Sequence, residues 1–344
     1  MSEENTKDST RHIPVLLAET VAGLALRADA TVIDATLGNG GHFSAILEKL
    51  GPKGTLFGID ADPIAVARAA ERVALKDVPY VRVLFATGNF RNIAALAKTQ
   101  GLTYADAIVA DLGWRMEQFS GERELGGGKG FSFSADEPLA MTFGDPEHYP
   151  FTAADIVNEW KEEDIANVIF AYGEERYSRP IARAIVRARA EKRIETAREL
   201  AEIISEAVRK RGALSQDLAS SFGSEANQKS HKVYSTGTVP ERYRHGRIHP
   251  ATKTFQALRI AVNDEIDALK EFIAAAVDLL SPGGILAIIS FHSIEDRIVK
   301  HAFAGLETEG RMRRITKKPI IPAEEELSRN PRARSARLRI VQKI

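Results

Sequence analysis

Short apolar runs recur along the first third of the chain, each closed by polar or glycine-rich sequence. Thr31–Ala35, Thr55–Asp60, Val81–Phe85 and Ala105–Asp111 have the length and continuous apolar character of strands covered on both faces. Helix-like stretches separate them, at Gly41–Leu50, Pro63–Val73 and Arg91–Gln100. Alternation at this interval predicts βαβ units and a parallel sheet.

The alternation stops after Asp111. A glycine-rich loop, GERELGGGKGFSFSADEP, leads into helical periodicity without a strand from Thr152 to Arg211. Gly212–Ile248 is polar and buries little, which predicts a long mobile loop. Phe255, Leu258, Val262, Ile266 and Leu269 then mark one long amphipathic helix. The α/β pattern resumes with an SPGG turn, the buried strand ILAIIS, a helix over Ser293–Phe303, and two late strands near Met312–Thr316 and Ala336–Val341. The pattern therefore predicts an α/β domain in two parts, 1–113 and 249–344, interrupted by a helical insertion over 114–248, with its mobile loop at about 212–248.

Composition narrows the class. The chain has 344 residues, room for one large domain or two ordinary ones, and 44% hydrophobic residues, enough for a core. It has no cysteine, which excludes disulfides and thiolate metal sites and suits a cytoplasmic protein. No apolar run approaches the length of a membrane span, and the polar first residues lack the core of a signal peptide. The 47 basic and 47 acidic residues cancel, yet they are unevenly spread. Arg311–Ile344 holds eleven Lys/Arg against three Glu, a net of +8, and Arg209–Lys253 holds nine against three acids, a net of +6. Local basic patches on a neutral chain suit an anionic partner or a solvated surface.

The stretch VIDATLGNGGHF carries the chemistry. A phosphate-binding Walker loop needs Lys and Ser/Thr after its last glycine, and here His42 and Phe43 follow Gly41. Gly38, Gly40 and Gly41 also miss the spacing of a dinucleotide fingerprint. Asp34, at the strand end beside the loop, would repel a pyrophosphate but suits a ligand with a cationic end. S-adenosylmethionine is such a ligand, its ammonium and sulfonium set against a carboxylate that backbone N–H groups can hold. Asp60 ends the next strand, where an acid accepts hydrogen bonds from ribose hydroxyls. A plain βα turn, with Asp62 capping the helix at Pro63, is the alternative.

Three further motifs carry charge or ligand atoms. His292, Glu295 and Asp296 could pass for a metal set, but Ser293 with Asp296 reads better as a capping box, and no metal is expected; His292, at a strand's carboxyl end, could line the pocket. Arg176, Arg179, Arg183 and Arg187 share one helical face, suited either to phosphates or to pairing with Glu175 and its neighbours. In NPRARSARLRIVQKI, Arg337 and Arg339 alternate with apolar residues, which predicts a strand with one exposed basic face; with Arg334 it forms a candidate RNA contact.

Several of these stretches resemble one family. HIPVLLAET, DATLGNGGH, GIDADP, GFSFSADEPLAM, YGEERYSRPIARAIV, HPATKTFQALRIAVNDE, ISFHSIEDRIVK and NPRARSARLR are similar to the bacterial small-subunit rRNA cytosine-N4 methyltransferases, the MraW family, from His12 to about Gln342. The resemblance implies a class I, Rossmann-like methyltransferase with a helical domain inserted after the fourth strand. It implies S-adenosylmethionine as cofactor and N4-methylation of a cytidine in 16S rRNA of the small ribosomal subunit. Carried over to this chain, the family's cofactor contacts fall on Gly40, Gly41, His42, Asp60, Phe90, Asp111 and Gln118. Asp34 and Gly38 join them from the loop chemistry. Asp111 is the candidate acceptor for the target amine, and Trp114 and Phe131 are candidate stacking partners or core residues. The chain departs from the family pattern at Trp114–Glu117, Ala140 and Thr142, positions expected around the target nucleotide. Two other readings stand beside this one: a related methyltransferase with a different RNA or protein target, and a cofactor-binding ribosome-assembly protein without turnover.

Overall fold

The computed structural model describes residues 14–74, 81–112, 128–134, 136–221 and 249–344. The described residues up to Leu112 and those from Glu265 onward form one compact unit; those from Gly128 to Asp264 form a second. In chain order the first unit contains α1 (Leu17–Gly23), β1 (Thr31–Asp34), α2 (Gly41–Leu47), β2 (Thr55–Asp60), α3 (Pro63–Ala74), β3 (Arg82–Thr87), α4 (Ile93–Thr99) and β4 (Ala105–Asp111). The second contributes α5 (Ala153–Glu159), α6 (Glu162–Gly173), α7 (Ser178–Glu191), α8 (Ala197–Ser221) and α9 (Thr252–Asn263). The first unit then resumes with α10 (Glu265–Leu279), β5 (Leu280–Ser290), α11 (Ser293–Thr308), β6 (Met312–Arg314), α12 (Glu324–Arg329) and β7 (Arg337–Lys343).

The seven strands form one sheet in the order β3-β2-β1-β4-β5-β7-β6. β3 to β5 pair in parallel, whereas β7 runs antiparallel to both β5 and β6. Successive residues of each strand point to opposite faces, and both faces of the central strands β1, β2, β4 and β5 are covered, so these strands are largely apolar. Ile33, Phe57, Ile108, Ile288 and Val341 pack with Phe272 of α10 and Val299 and Phe303 of α11. Their neighbours Val32, Leu56, Val109, Ala287 and Ile340 pack with Leu24, Phe43, Ile46 and Ala69 on the other side. This two-sided burial corrects the expectation for β7. Leu338 and Ile340 face one core, and the opposite face, where an exposed basic row was predicted, lies under α11. Arg339 is therefore buried, forked onto Asp296 of α11 at 2.7 and 3.2 Å, while half-exposed Arg337 reaches the same carboxylate at 3.0 Å.

The second unit has its own core, in which Ile156, Ile169, Ile185, Leu200, Ile204, Phe255 and Leu258 meet. α9 belongs to this core, so the insertion does not end at residue 248. The single helix predicted across Phe255–Leu269 is two, because Asp264 adopts the left-handed conformation (φ 48°) between α9 and α10. Short polar Asn and Asp are the non-glycine residues that tolerate that conformation best. Residues 212–221, predicted to open a mobile loop, continue α8 to Ser221 instead; residues 222–248 lie outside the described residues. Phe131, read from the sequence as a stacking partner or a core residue, and Thr142, expected around the target nucleotide, are buried in this unit. Phe131 stacks on Phe143 with ring centroids 5.9 Å apart, and the Thr142 hydroxyl donates to the Gly144 carbonyl at 3.0 Å.

Candidate active site

The carboxyl ends of β1, β2 and β4 each carry an aspartate, and adjacent parallel strands bring the three to one edge of the sheet. Backbone hydrogen bonds fix the loops around them. Asp60, ending β2, accepts from the Gly38 N–H and from the Asp62 N–H, both at 2.8 Å, so it holds the glycine loop as well as its own turn. Asp34, ending β1, is buried and accepts from the Thr36 N–H at 3.2 Å. The Thr36 hydroxyl in turn accepts from the Asp111 N–H at 2.6 Å and ties the end of β1 to the end of β4. Thr36 had no signal in the sequence beyond its place in the loop.

The glycines divide the work. Gly40 is buried, with φ +71°, a conformation that side-chain-bearing residues rarely adopt, and no atom within 4 Å of where a Cβ would stand. Gly41 serves the protein: an added Cβ would lie 2.1 Å from the Pro14 ring. Its bareness makes room for the N-terminal segment, and what it can offer a cofactor is its backbone.

His42, on the first turn of α2, points the same way. Its Nε2 lies 3.1 Å from the Val15 carbonyl and its Nδ1 lies 3.6 Å from Asp111 Oδ2. A carbonyl oxygen only accepts, so Nε2 carries the proton and Nδ1 turns its lone pair toward Asp111. Burial lowers the pKa of His42, against the opposing pull of Asp34, the Val15 carbonyl and Glu326. Glu326 of α12 in turn accepts from the buried Leu16 N–H at 2.8 Å. The His42 side chain thus holds the segment at Val15; what it can offer a cofactor is its backbone.

Phe90 follows β3 at the same edge. It is half-buried and meets Phe272 edge-on, with ring centroids 5.1 Å apart. Gln118 and Trp114 lie outside the described residues.

His292 ends the loop after β5 and is spent on helix capping, one residue earlier than the Ser293–Asp296 box expected. Its Nδ1 accepts from the Glu295 N–H at 3.3 Å, and Glu295 Oε2 accepts from the Phe291 and His292 N–H groups at 2.9 and 3.3 Å. Asp296, released from capping, serves Arg337 and Arg339. Glu265 completes a group with His292 and Glu295 whose ligand atoms lie within 4.8 Å of one another. Because Nδ1 is already an acceptor, Nε2 holds the ring proton; it sits 3.0 Å from Glu295 Oε1, off the hydrogen-bonding direction. With Nδ1 taken by the helix cap, hydrogen bonding is the chemistry this group shows among the described residues.

Burial pushes the Asp34 carboxyl up to about 7, with His42 opposing the shift. Over the interval from the ordinary carboxylate range to about 7, the folded protein holds a proton that the unfolded chain has released, and this group's contribution to stability falls as pH rises. Asp34→Asn is expected to gain thermal stability relative to wild type as pH is raised from 4 to 7. A pH-independent difference in Tm between the two proteins would rule this out.

A parallel sheet with one antiparallel strand in the order 3-2-1-4-5-7-6, and acids at the ends of its first, second and fourth strands, define a class I S-adenosylmethionine-dependent methyltransferase. The left-handed glycine turn at Gly40 and the acids around it fit that cofactor's combination of carboxylate, ribose and cationic groups. More particularly, the chain belongs to the MraW methylase family, which it matches over residues 9–222 and 224–344. It is 42% identical to the ribosomal RNA small subunit methyltransferase H of Synechococcus elongatus over 344 residues, covering 100% of this chain and 98% of that one. It is 39% identical to the protein of the same name from Brevibacillus brevis, covering 98% and 99% of the two chains, and 41% identical to that of Thermomicrobium roseum, covering 98% and 94%.

Proposed function

We propose that this protein methylates the exocyclic N4 amine of a cytidine in 16S rRNA of the small ribosomal subunit, in the cytoplasm. The names of its full-length relatives support the substrate, and the setting of Asp111 supports the chemistry. In this reading Gly38, Gly40, Gly41, the His42 backbone, Asp60, Phe90 and Gln118 hold S-adenosylmethionine, with Asp34 and Asp111 facing its cationic end. The cofactor supplies an electrophilic methyl group.

The chain's own task is to position the amine and to receive its proton. An exocyclic cytosine amine is a poor nucleophile while its lone pair is conjugated with the ring. A carboxylate that accepts a hydrogen bond from one N–H draws the lone pair out of that conjugation and takes the proton released on transfer. Asp111 has the required fixity in its backbone, which Thr36 holds. The nucleotide must reach this edge unpaired or flipped out of a helix.

The test is methyl transfer to small subunits from cells lacking this gene, followed by mass spectrometry of the rRNA nucleosides. Appearance of N4-methylcytidine supports the reading. Transfer elsewhere would point to a different RNA or protein target, and cofactor binding without transfer would point to an assembly protein. Within the same reading, Asp60→Ala is expected to weaken cofactor affinity about tenfold to a hundredfold, the cost of losing hydrogen bonds to a charged acceptor. An unchanged dissociation constant in the folded variant would remove Asp60 from the cofactor site.

A further inference from the structure

We infer that the outward face of α7 is a contact surface for the phosphate backbone of RNA; this rests on the rRNA methyltransferase reading above. α7 buries Ser178, Ile181, Ala182 and Ile185. From Ser178 to Arg189, every exposed position of the helix is an arginine: Arg179, Arg183 and Arg187. They recur every fourth residue, about 6 Å apart along the axis, and exposed Arg176 extends the row just before the helix.

These side chains are poorly neutralised within the protein. Among the described residues, Arg183 reaches Glu162 at 3.5 Å with both side chains well exposed, a pair of small worth. Arg176, Arg179 and Arg187 have no acid within ion-pair distance among the described residues. Elsewhere on the surface, Arg27, Arg193, Arg311 and Arg314 each pair with a carboxylate. With as many acids as bases in the chain, leaving this row open is a property of where the acids are placed. Glu175, the nearest acid in sequence, is buried and accepts from the Tyr177 N–H at 2.9 Å.

The helix also separates two uses of arginine. Arg189 turns inward and donates to the Val157 and Trp160 carbonyls at 2.9 and 2.6 Å, closing the end of α5. The outward row has no such task. An RNA backbone fits it better than a protein partner, because a protein interface needs an apolar centre and this row exposes none. Guanidinium groups also grip phosphate through two parallel hydrogen bonds.

The test combines Arg179→Gln, Arg183→Gln and Arg187→Gln in the full chain and measures binding to a small-subunit rRNA fragment at several salt concentrations. Three lost phosphate contacts should flatten the salt dependence of log Kd by about two units or more, with Tm and S-adenosylmethionine affinity unchanged. Arg189→Gln is the control and should lower Tm while leaving the salt slope as it was. An unchanged slope in the folded triple variant overturns the inference, whether or not wild type methylates the subunits. If wild type fails to methylate rRNA but the triple variant still flattens the slope, the surface stands and the reading of the substrate falls.

Discussion

Asp111→Asn is expected to lower methyl transfer to rRNA by roughly a hundredfold to ten-thousandfold, the usual contribution of a positioned proton acceptor. The substitution preserves shape and leaves the Asp111 N–H bond to the Thr36 hydroxyl in place, so the end of β4 should not move. It removes the negative charge that receives the amine proton, since an amide oxygen can accept a hydrogen bond but cannot take that proton. The loss should fall on turnover more than on cofactor affinity, since Asp34, Asp60 and the glycine loop are untouched. Single-turnover rates on undermethylated subunits, measured beside calorimetry with the cofactor, separate the two. A wild-type rate in the folded variant would remove Asp111 from the chemistry.

The second large effect is structural. Asp296→Ala is expected to destabilise the folded protein by about 3–5 kcal/mol, the cost of leaving one partner of a buried ion pair alone. Asp296 and Arg339 have side chains only 8% and 7% exposed, and two hydrogen bonds join them, with Arg337 adding a third to the same carboxylate. Burial alone would raise the pKa of Asp296; the two arginines outweigh it and hold the group below its usual range. Its contribution is therefore complete above the ordinary carboxylate range and is lost as pH falls through the lowered value. Replacing Asp296 with Leu and Arg339 with Met together should cost less than Asp296→Ala, because no charge is left buried. Urea unfolding reads both, and a loss below about 1 kcal/mol for Asp296→Ala would reduce this pair to a surface contact.

How much of this could be read from the chain depends on the range of the interactions involved. The strand ends at Asp34, Asp60 and Asp111 were legible because local pattern specifies them: a buried strand is a continuous apolar run, and the acid marks where it stops. The alternation of Arg337, Leu338, Arg339 and Ile340 is equally local but means different things on a half-exposed and on a covered strand. Only the arrival of Asp296, some forty residues earlier in the chain, turns an expected RNA contact into a buried fork. The same carboxylate explains the misplaced capping box, since Ser293–Asp296 and His292–Glu295 both satisfy the spacing. The break at Asp264 was hidden because the apolar positions of α9 and α10 continue in phase across it while serving two different cores. At the site, Gly41 is bare for Pro14, which is distant in sequence and carries no marker of that contact.

The place of β7 in the sheet bears on how the protein is made. β7 lies between β5 and β6, yet both precede it in the chain. During synthesis the parallel half of the sheet therefore emerges with the edge of β5, residues Ile285–Ser290, unpaired, and β6 has no strand partner. An open apolar strand edge is a template for pairing with other chains. A nascent chain halted before Arg337 would present such an edge, together with an Asp296 that has yet to meet its arginines. Closure of the sheet is thus a late step that admits only chains translated through β7, and prematurely terminated products are left recognisable to chaperones and proteases by the strand they lack.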